Sequence, residues 1–255
     1  MLPDGRVIVR QLTTRANFIT FSGISFPLWT AQSELVMVQK PLNETAQHTL
    51  SLVRHNGFCM LAGSVAGEFS RLTNKDARPL ILATLPETCR PLDGDMLFDA
   101  LIGYTAVQVR ISTAGLVKLL PTHVPANSRF ISLAGIFFFT HQQLHPMTLG
   151  YMWKPAIAKQ RVPSYRKAGT LCVLSGVLTS GISNELATLP QECRPKRLLN
   201  FATRAEGVPT VRIDVLPTGV VRRMSRSNIQ TISLDGIAFT VEPIVMPGLA
   251  PVAVA

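Results

Sequence analysis

The chain is poor in charge, in aromatic rings and in anything that reads as a helix. Only 16% of its 255 residues are Asp, Glu, Lys or Arg, against roughly 25% in an average soluble domain. Apolar residues reach 47%, which excludes a disordered tail. No Ala/Glu/Lys/Leu-rich stretch occurs, and 18 prolines and 17 glycines are scattered in short turn-like clusters, a pattern that favours many short strands. No apolar run approaches the roughly 18 residues of a membrane span. The opening MLPDGRVIVRQ lacks the charged start and apolar core of an export signal.

Chemistry-bearing motifs are equally scarce. There is no glycine-rich phosphate loop, nucleophile elbow or Cys-x-x-Cys pair, so neither an enzyme nor a bound cofactor is expected. His141 and His145 have helix-compatible metal spacing, but Pro146 follows and no acidic third ligand is placed to join them, so no metal site is expected either. Asp93, Asp95 and Asp99 cluster, yet Lys196, Asn200 and Thr203 stand near the corresponding place later in the chain, which favours a solvated loop over a carboxylate pair or a calcium site. With 7% aromatic residues, stacking on nucleic-acid bases has little support.

What the chain does have is internal repetition. CMLAG at 59–63 answers CVLSG at 172–176, and LATLPETCRP at 82–91 answers LATLPQECRP at 186–195. VQVRISTAGLV at 107–117 follows the pattern of VRIDVLPTGVV at 211–221, and FISLAGIFF at 130–138 that of TISLDGIAF at 231–239. A third, partial copy opens the chain as LPDGRV at 2–7 and FITFSGISF at 18–26. Gly23, Gly135 and Gly236 are 112 and 101 residues apart. The sequence therefore reads as part of a longer array: 1–28 the end of a truncated repeat, 29–50 a linker, 51–140 one complete repeat, 141–164 a second linker, 165–242 another complete repeat and 243–255 a Pro/Ala-rich tail. The truncated copy is expected to pair with the segment around 50–100 or with another chain, because unpaired strands expose backbone donors and acceptors.

Each landmark has a local physical meaning. Val107, Val109 and Ile111, like Val211, Ile213 and Val215, alternate with polar residues, as in a strand with one buried face. Gly5, Gly115 and Gly219 close turns before the next strand-like segment, where a hairpin needs positive φ. In ISLDGIAF the large residues change parity at Gly236, as their counterparts do at Gly135, which suggests a bulge; a strand buried on both faces is the alternative. The prolines of LPxxCRP exclude a central strand and call for a rigid surface or edge connection.

The four cysteines fall two per complete repeat, and of three possible pairings the symmetry favours Cys59 with Cys89 and Cys172 with Cys193. Disulfides there imply an oxidising compartment, extracellular or on a virion surface; buried reduced cysteines would allow a cytoplasmic one. The sequon at Asn43 is a glycosylation candidate. Residues 154–226 hold 13 Lys and Arg against 4 Asp and Glu, a local +9 of the total +10. Within it Arg194, Lys196, Arg197, Arg222, Arg223 and Arg226 are candidates for binding polyanions, although a solvated face explains them equally simply.

The ordered set ATLPxxCRP, RIDVLPTG and ISLDGIAF resembles a repeat of phage tail-fibre and receptor-binding C-terminal domains. It is also similar to tandem repeats of large predicted proteins of unicellular algae. The resemblance covers about 190 of the 255 residues. It implies a small β unit serving structure, surface attachment or glycan contact, with no catalytic residue. The expectation is thus an all-β chain of tandem β-sandwich or jelly-roll-like units, non-catalytic and adhesive, whose partners are other repeat copies or neighbouring chains, glycans or acidic polymers. A basic, polyanion- or nucleic-acid-binding repeat and a surface-polysaccharide hydrolase are the alternatives.

Overall fold

The computed structural model describes residues 34–37 and 50–241, apart from 56, 68, 70–77, 104, 122–128, 141–143, 157–159, 206–207, 225–228 and 230. Among these the chain is built of antiparallel sheets in two units. In the first, Glu34–Met37, Ser51–His55, Phe58–Ala62 and Phe137–Phe139 form a four-stranded sheet in that order. A second sheet runs Ser64–Ala66, Phe130–Ser132, Met96–Ile102, Thr105–Ile111, Leu116–Leu119, Leu80–Thr84. Cys59, Leu61 and Phe138 of the small sheet share one core with Phe98, Val107, Val109 and Ile111 of the large one, so the unit is a β-sandwich. The period-2 alternation decides which side chains enter it: Val107, Val109 and Ile111 are fully buried, while Gln108 and Arg110 between them are only partly so.

The second unit repeats the strand order. His145–Pro146, Ser164–Ala168, Leu171–Ser175 and Ala238–Thr240 make its small sheet. Its large sheet runs Val177–Thr179, Thr231–Ser233, Leu199–Ala205, Val208–Val215, Val220–Arg223, Glu185–Thr188, flanked by Lys154–Pro155 at one edge and Thr148–Leu149 at the other. Val211, Ile213 and Val215 are buried as their counterparts are.

Those flanking strands belong to the segment 141–164, which the sequence marks as a linker because it lies outside the landmarks. The structure instead makes most of it a strap on the second unit, pairing with Ser164–Ala168, Glu185–Thr188 and Val177–Thr179 in turn. Trp153 anchors it. The ring is buried, Nε1 donates to the Ser183 carbonyl at 3.0 Å, and the space a Cβ would need at Gly181 is taken by the indole. Likewise Glu34–Met37, from the expected linker 29–50, pairs with Ser51–His55. The opening copy at 1–28 and Gly5 lie outside the described residues.

The parity change at Gly135 and Gly236 has a different origin from the expected bulge. Phe130–Ser132 lies in the large sheet and Phe137–Phe139 in the small one, so the chain changes sheets at the glycine. Gly135 (φ 90°) and Gly236 (φ 86°) make the corner. Backbone bonds lock it alike in both units: Leu61 N–H to the Ile136 carbonyl and Leu174 N–H to the Ile237 carbonyl, each 2.8 Å. Because each half faces its core from the opposite side, inward residues change parity without an inserted residue.

LPxxCRP folds as one further corner. Glu87–Cys89 and Gln191–Cys193 are short 3-10 turns opened by Pro86 and Pro190. The Leu85 and Leu189 N–H groups each donate at 2.8 Å to the carbonyl of the hairpin glycine, Gly115 or Gly219. Those glycines have φ of 80° and 90°. A Cβ at Gly219 would lie 2.6 Å from the Leu189 carbonyl oxygen and 2.8 Å from Arg194 Nε. The motif's Arg thus packs across the turn that its Leu bonds, which ties LPxxCRP to the distant Gly.

Candidate functional site at the junction of the two units

Cys59 is bonded to Cys89 and Cys172 to Cys193, with Cα–Cα separations of 5.9 and 5.6 Å. Each bridge joins the small sheet to the 3-10 corner beside the large one, cross-linking the two layers. All four residues are fully buried and none is a free thiol.

Of the described basic candidates, Arg222 and Arg223 point to opposite sides of their strand. Arg194 is exposed but its Nε donates to the Leu189 carbonyl at 3.2 Å. Lys196 and Arg197 are exposed. Successive residues on a strand face opposite sides, and Arg222 reaches Asp214 (Nη2 to Oδ2, 3.5 Å) on the outer face. Arg223 turns inward, only 6% exposed; its Nη2 donates to the Ile182 carbonyl at 3.2 Å and its guanidinium lies 5.4 Å from the Trp153 ring centre. Burial holds the Arg223 pKa below its ordinary value. Arg226 and Asn43 lie outside the described residues, as does His141.

Asp214 is buried on the outer sheet face and accepts from Asn200 Nδ2 and Arg212 Nε, both at 2.7 Å. Arg212 and Arg222 therefore offset a buried carboxylate. His145 stacks at 5.3 Å on Tyr165, whose hydroxyl donates to Glu192 Oε1 at 3.0 Å. Burial, then the Glu192 contact, raises the Tyr165 pKa. The Glu192 pKa is lowered, chiefly by a bond from its own backbone N–H and next by Tyr165. Among the described residues no three His, Cys, Asp or Glu side chains could together hold a metal ion. Asp95 accepts the Thr113 N–H at 3.2 Å.

A buried polar cluster lies where the two units meet, and sequence reasoning did not single it out. Asp235 Oδ1 accepts from the Ser175 hydroxyl at 2.7 Å and the Gly176 N–H at 2.8 Å; Oδ2 accepts the Leu97 N–H from the other unit at 2.8 Å. Ser233 Oγ donates to the Leu97 carbonyl at 2.8 Å. Arg161, 2% exposed, donates through Nη1 to the Phe139 carbonyl at 3.2 Å and to Ser175 Oγ at 3.4 Å, and its own N–H bonds the Asp95 carbonyl. Burial lowers the Arg161 pKa, opposed by the charges of Asp235 and Asp93. Beside this cluster Met60, Phe137 and Phe139 of one unit pack with Val173 of the other, with Phe58, Ala168, Leu171 and Ala238 at the margin. The Arg166 guanidinium lies 4.1 Å from the Phe139 ring centre.

A cavity of about 250 Å³ opens at the same junction, lined by Phe98, Asp99 and the Ala134–Ile136 corner from one unit and by Phe201, Thr203 and the Asp235–Ile237 corner from the other. The one available signal for this site was the difference between ISLAG and ISLDG: Asp235 replaces Ala134 where the copies otherwise agree.

No family model matches the chain, and no curated protein matches it.

Proposed function

We propose that this chain is a non-catalytic structural or adhesive repeat module of an extracellular or virion surface, with glycans as the ligand class. The carrying observation is where the repeated residues go. Cysteines form the layer-to-layer bridges, the LPxxCRP leucine and arginine hold the hairpin, and the glycines turn corners. What both copies share is thus consumed by the fold, as in a scaffold whose contacts are made by divergent surface positions. Two disulfides are compatible with an oxidising compartment. No helix among the described residues is long and apolar enough to cross a membrane. Arg222 and Arg223 are engaged within the fold, with Asp214 and Trp153, which favours glycan contact over a polyanion groove.

A glycan array probed with the purified chain at low and high salt tests the reading. Retention of one or more neutral glycans at both salts is the expected result. Binding that collapses as salt rises points to a polyanion ligand, and release of shortened saccharides from a bound polymer would make the chain an enzyme.

A further inference from the structure

We infer that the outer face of the small sheet, with the ISLxGI corner beside it, is a docking surface for another copy of the same repeat, and that docking closes on itself in pairs. The inference rests on which residues meet, independently of the glycan reading. Strand registers make Phe58, Met60 and Phe137 the counterparts of Leu171, Val173 and Ala238. All six lie in one apolar cluster between the units. Met96–Ile102 likewise lies against its own counterpart, Leu199–Ala205. The junction cavity is lined by Phe98 and Phe201, Asp99 and Ala202, and both glycine corners, counterpart beside counterpart, with Thr203 the one lining residue whose counterpart, Ala100, is not there.

Contact between equivalent patches is the signature of an isologous interface, arranged about a local two-fold axis. Such an interface uses up the surface it is made from. A head-to-tail solenoid instead joins unlike faces and leaves one of each free at its ends. A further copy of this repeat joined to either end meets a face already occupied, so a longer array grows as pairs.

The two-fold is imperfect in a way that sets the order of the pair. Phe98 sits 3.4 Å from where a Cβ of Gly236 would stand, whereas a Cβ at Gly135 would meet nothing within 4 Å. On the first side the Asp235 side chain captures the Leu97 N–H; on the other, Ala134 has no side-chain acceptor to offer. Asp235 makes a contact on one side of the junction that Ala134 does not make on the other, and both corners line the cavity between them.

The test uses the whole chain and three outer-face variants: Phe137→Glu on one unit, Val173→Glu on the other, and Leu171→Glu at a half-buried position where loss of folding is least expected. The expected wild type melts in one calorimetric transition and is monomeric. Each variant should melt in two transitions, with a larger radius of gyration by X-ray scattering and faster proteolytic separation of the two units. A wild-type chain that already melts in two steps overturns the proposal. So does an unchanged radius and single transition in Leu171→Glu, or concentration-dependent growth of wild-type assemblies that Phe137→Glu abolishes.

Discussion

Asp235 Oδ2 accepts the backbone N–H of Leu97 at 2.8 Å, although 138 residues separate them. Replacing Asp235 by Ala leaves that N–H, the Gly176 N–H and the Ser175 O–H without their acceptor in a buried place, and removes a carboxylate whose charge acts on buried Arg161. Each buried unsatisfied group costs about 1–3 kcal/mol. Urea unfolding of Asp235→Ala should therefore show a loss of about 3 kcal/mol or more, and a loss below about 1 kcal/mol would mean that water replaces the carboxylate without cost.

The two hairpin and corner glycines should differ in their tolerance of alanine. Gly219→Ala meets both an unfavourable φ of 90° and the Leu189 carbonyl with Arg194, and should cost about 2–4 kcal/mol. Gly135→Ala has the same φ with open space around it, so only the backbone strain of about 1–2 kcal/mol applies. Equal losses in denaturant titrations would contradict the packing role of Arg194.

Removing a bridge as a Cys-to-Ser pair should destabilise its own unit. Sequence separations of 30 and 21 residues correspond to about 3–4 kcal/mol each by chain entropy. Thermal melts of the Cys59→Ser/Cys89→Ser and Cys172→Ser/Cys193→Ser chains read the two effects separately.

Tyr165→Phe should raise the Glu192 pKa part of the way to the ordinary carboxylate value, since the glutamate's own backbone N–H remains its larger stabiliser. A group with a lowered folded pKa contributes stability above its unfolded pKa and loses it as pH falls through the folded one. The Glu192 carboxyl chemical shift, followed below neutral pH, should titrate at higher pH in the variant than in the wild type.

Trp153→Ala removes the anchor of the strap and leaves a cavity against Gly181 and Arg223. A loss of about 3–5 kcal/mol is expected, with new proteolytic cleavage between 147 and 160. Cleavage unchanged from the wild type would show that edge pairing alone holds the strap.

Features that are local or repeated were legible from the residues alone. Alternation in VQVRI and VRIDV decides which faces of those strands are buried, because side chains on a strand point to opposite sides in turn. Gly115 and Gly219 announce turns because only glycine enters positive φ freely. Internal symmetry favours pairing Cys59 with Cys89 and Cys172 with Cys193, and the structure shows both bonds formed. Tertiary structure decided the rest, because it depends on partners far along the chain. The parity change at Gly236 could not be told from a bulge without knowing that the strands on either side join different sheets. The strap at 145–155 carries no repeated landmark, and its strands exist only because sheet edges offer them backbone partners. Arg222 and Arg223 are alike in sequence, yet one lies outside against Asp214 and the other inside against Trp153. Asp235 differs from Ala134 by a single side chain in a shared motif, and only the arrival of Leu97 from the other unit makes that carboxylate a closing contact.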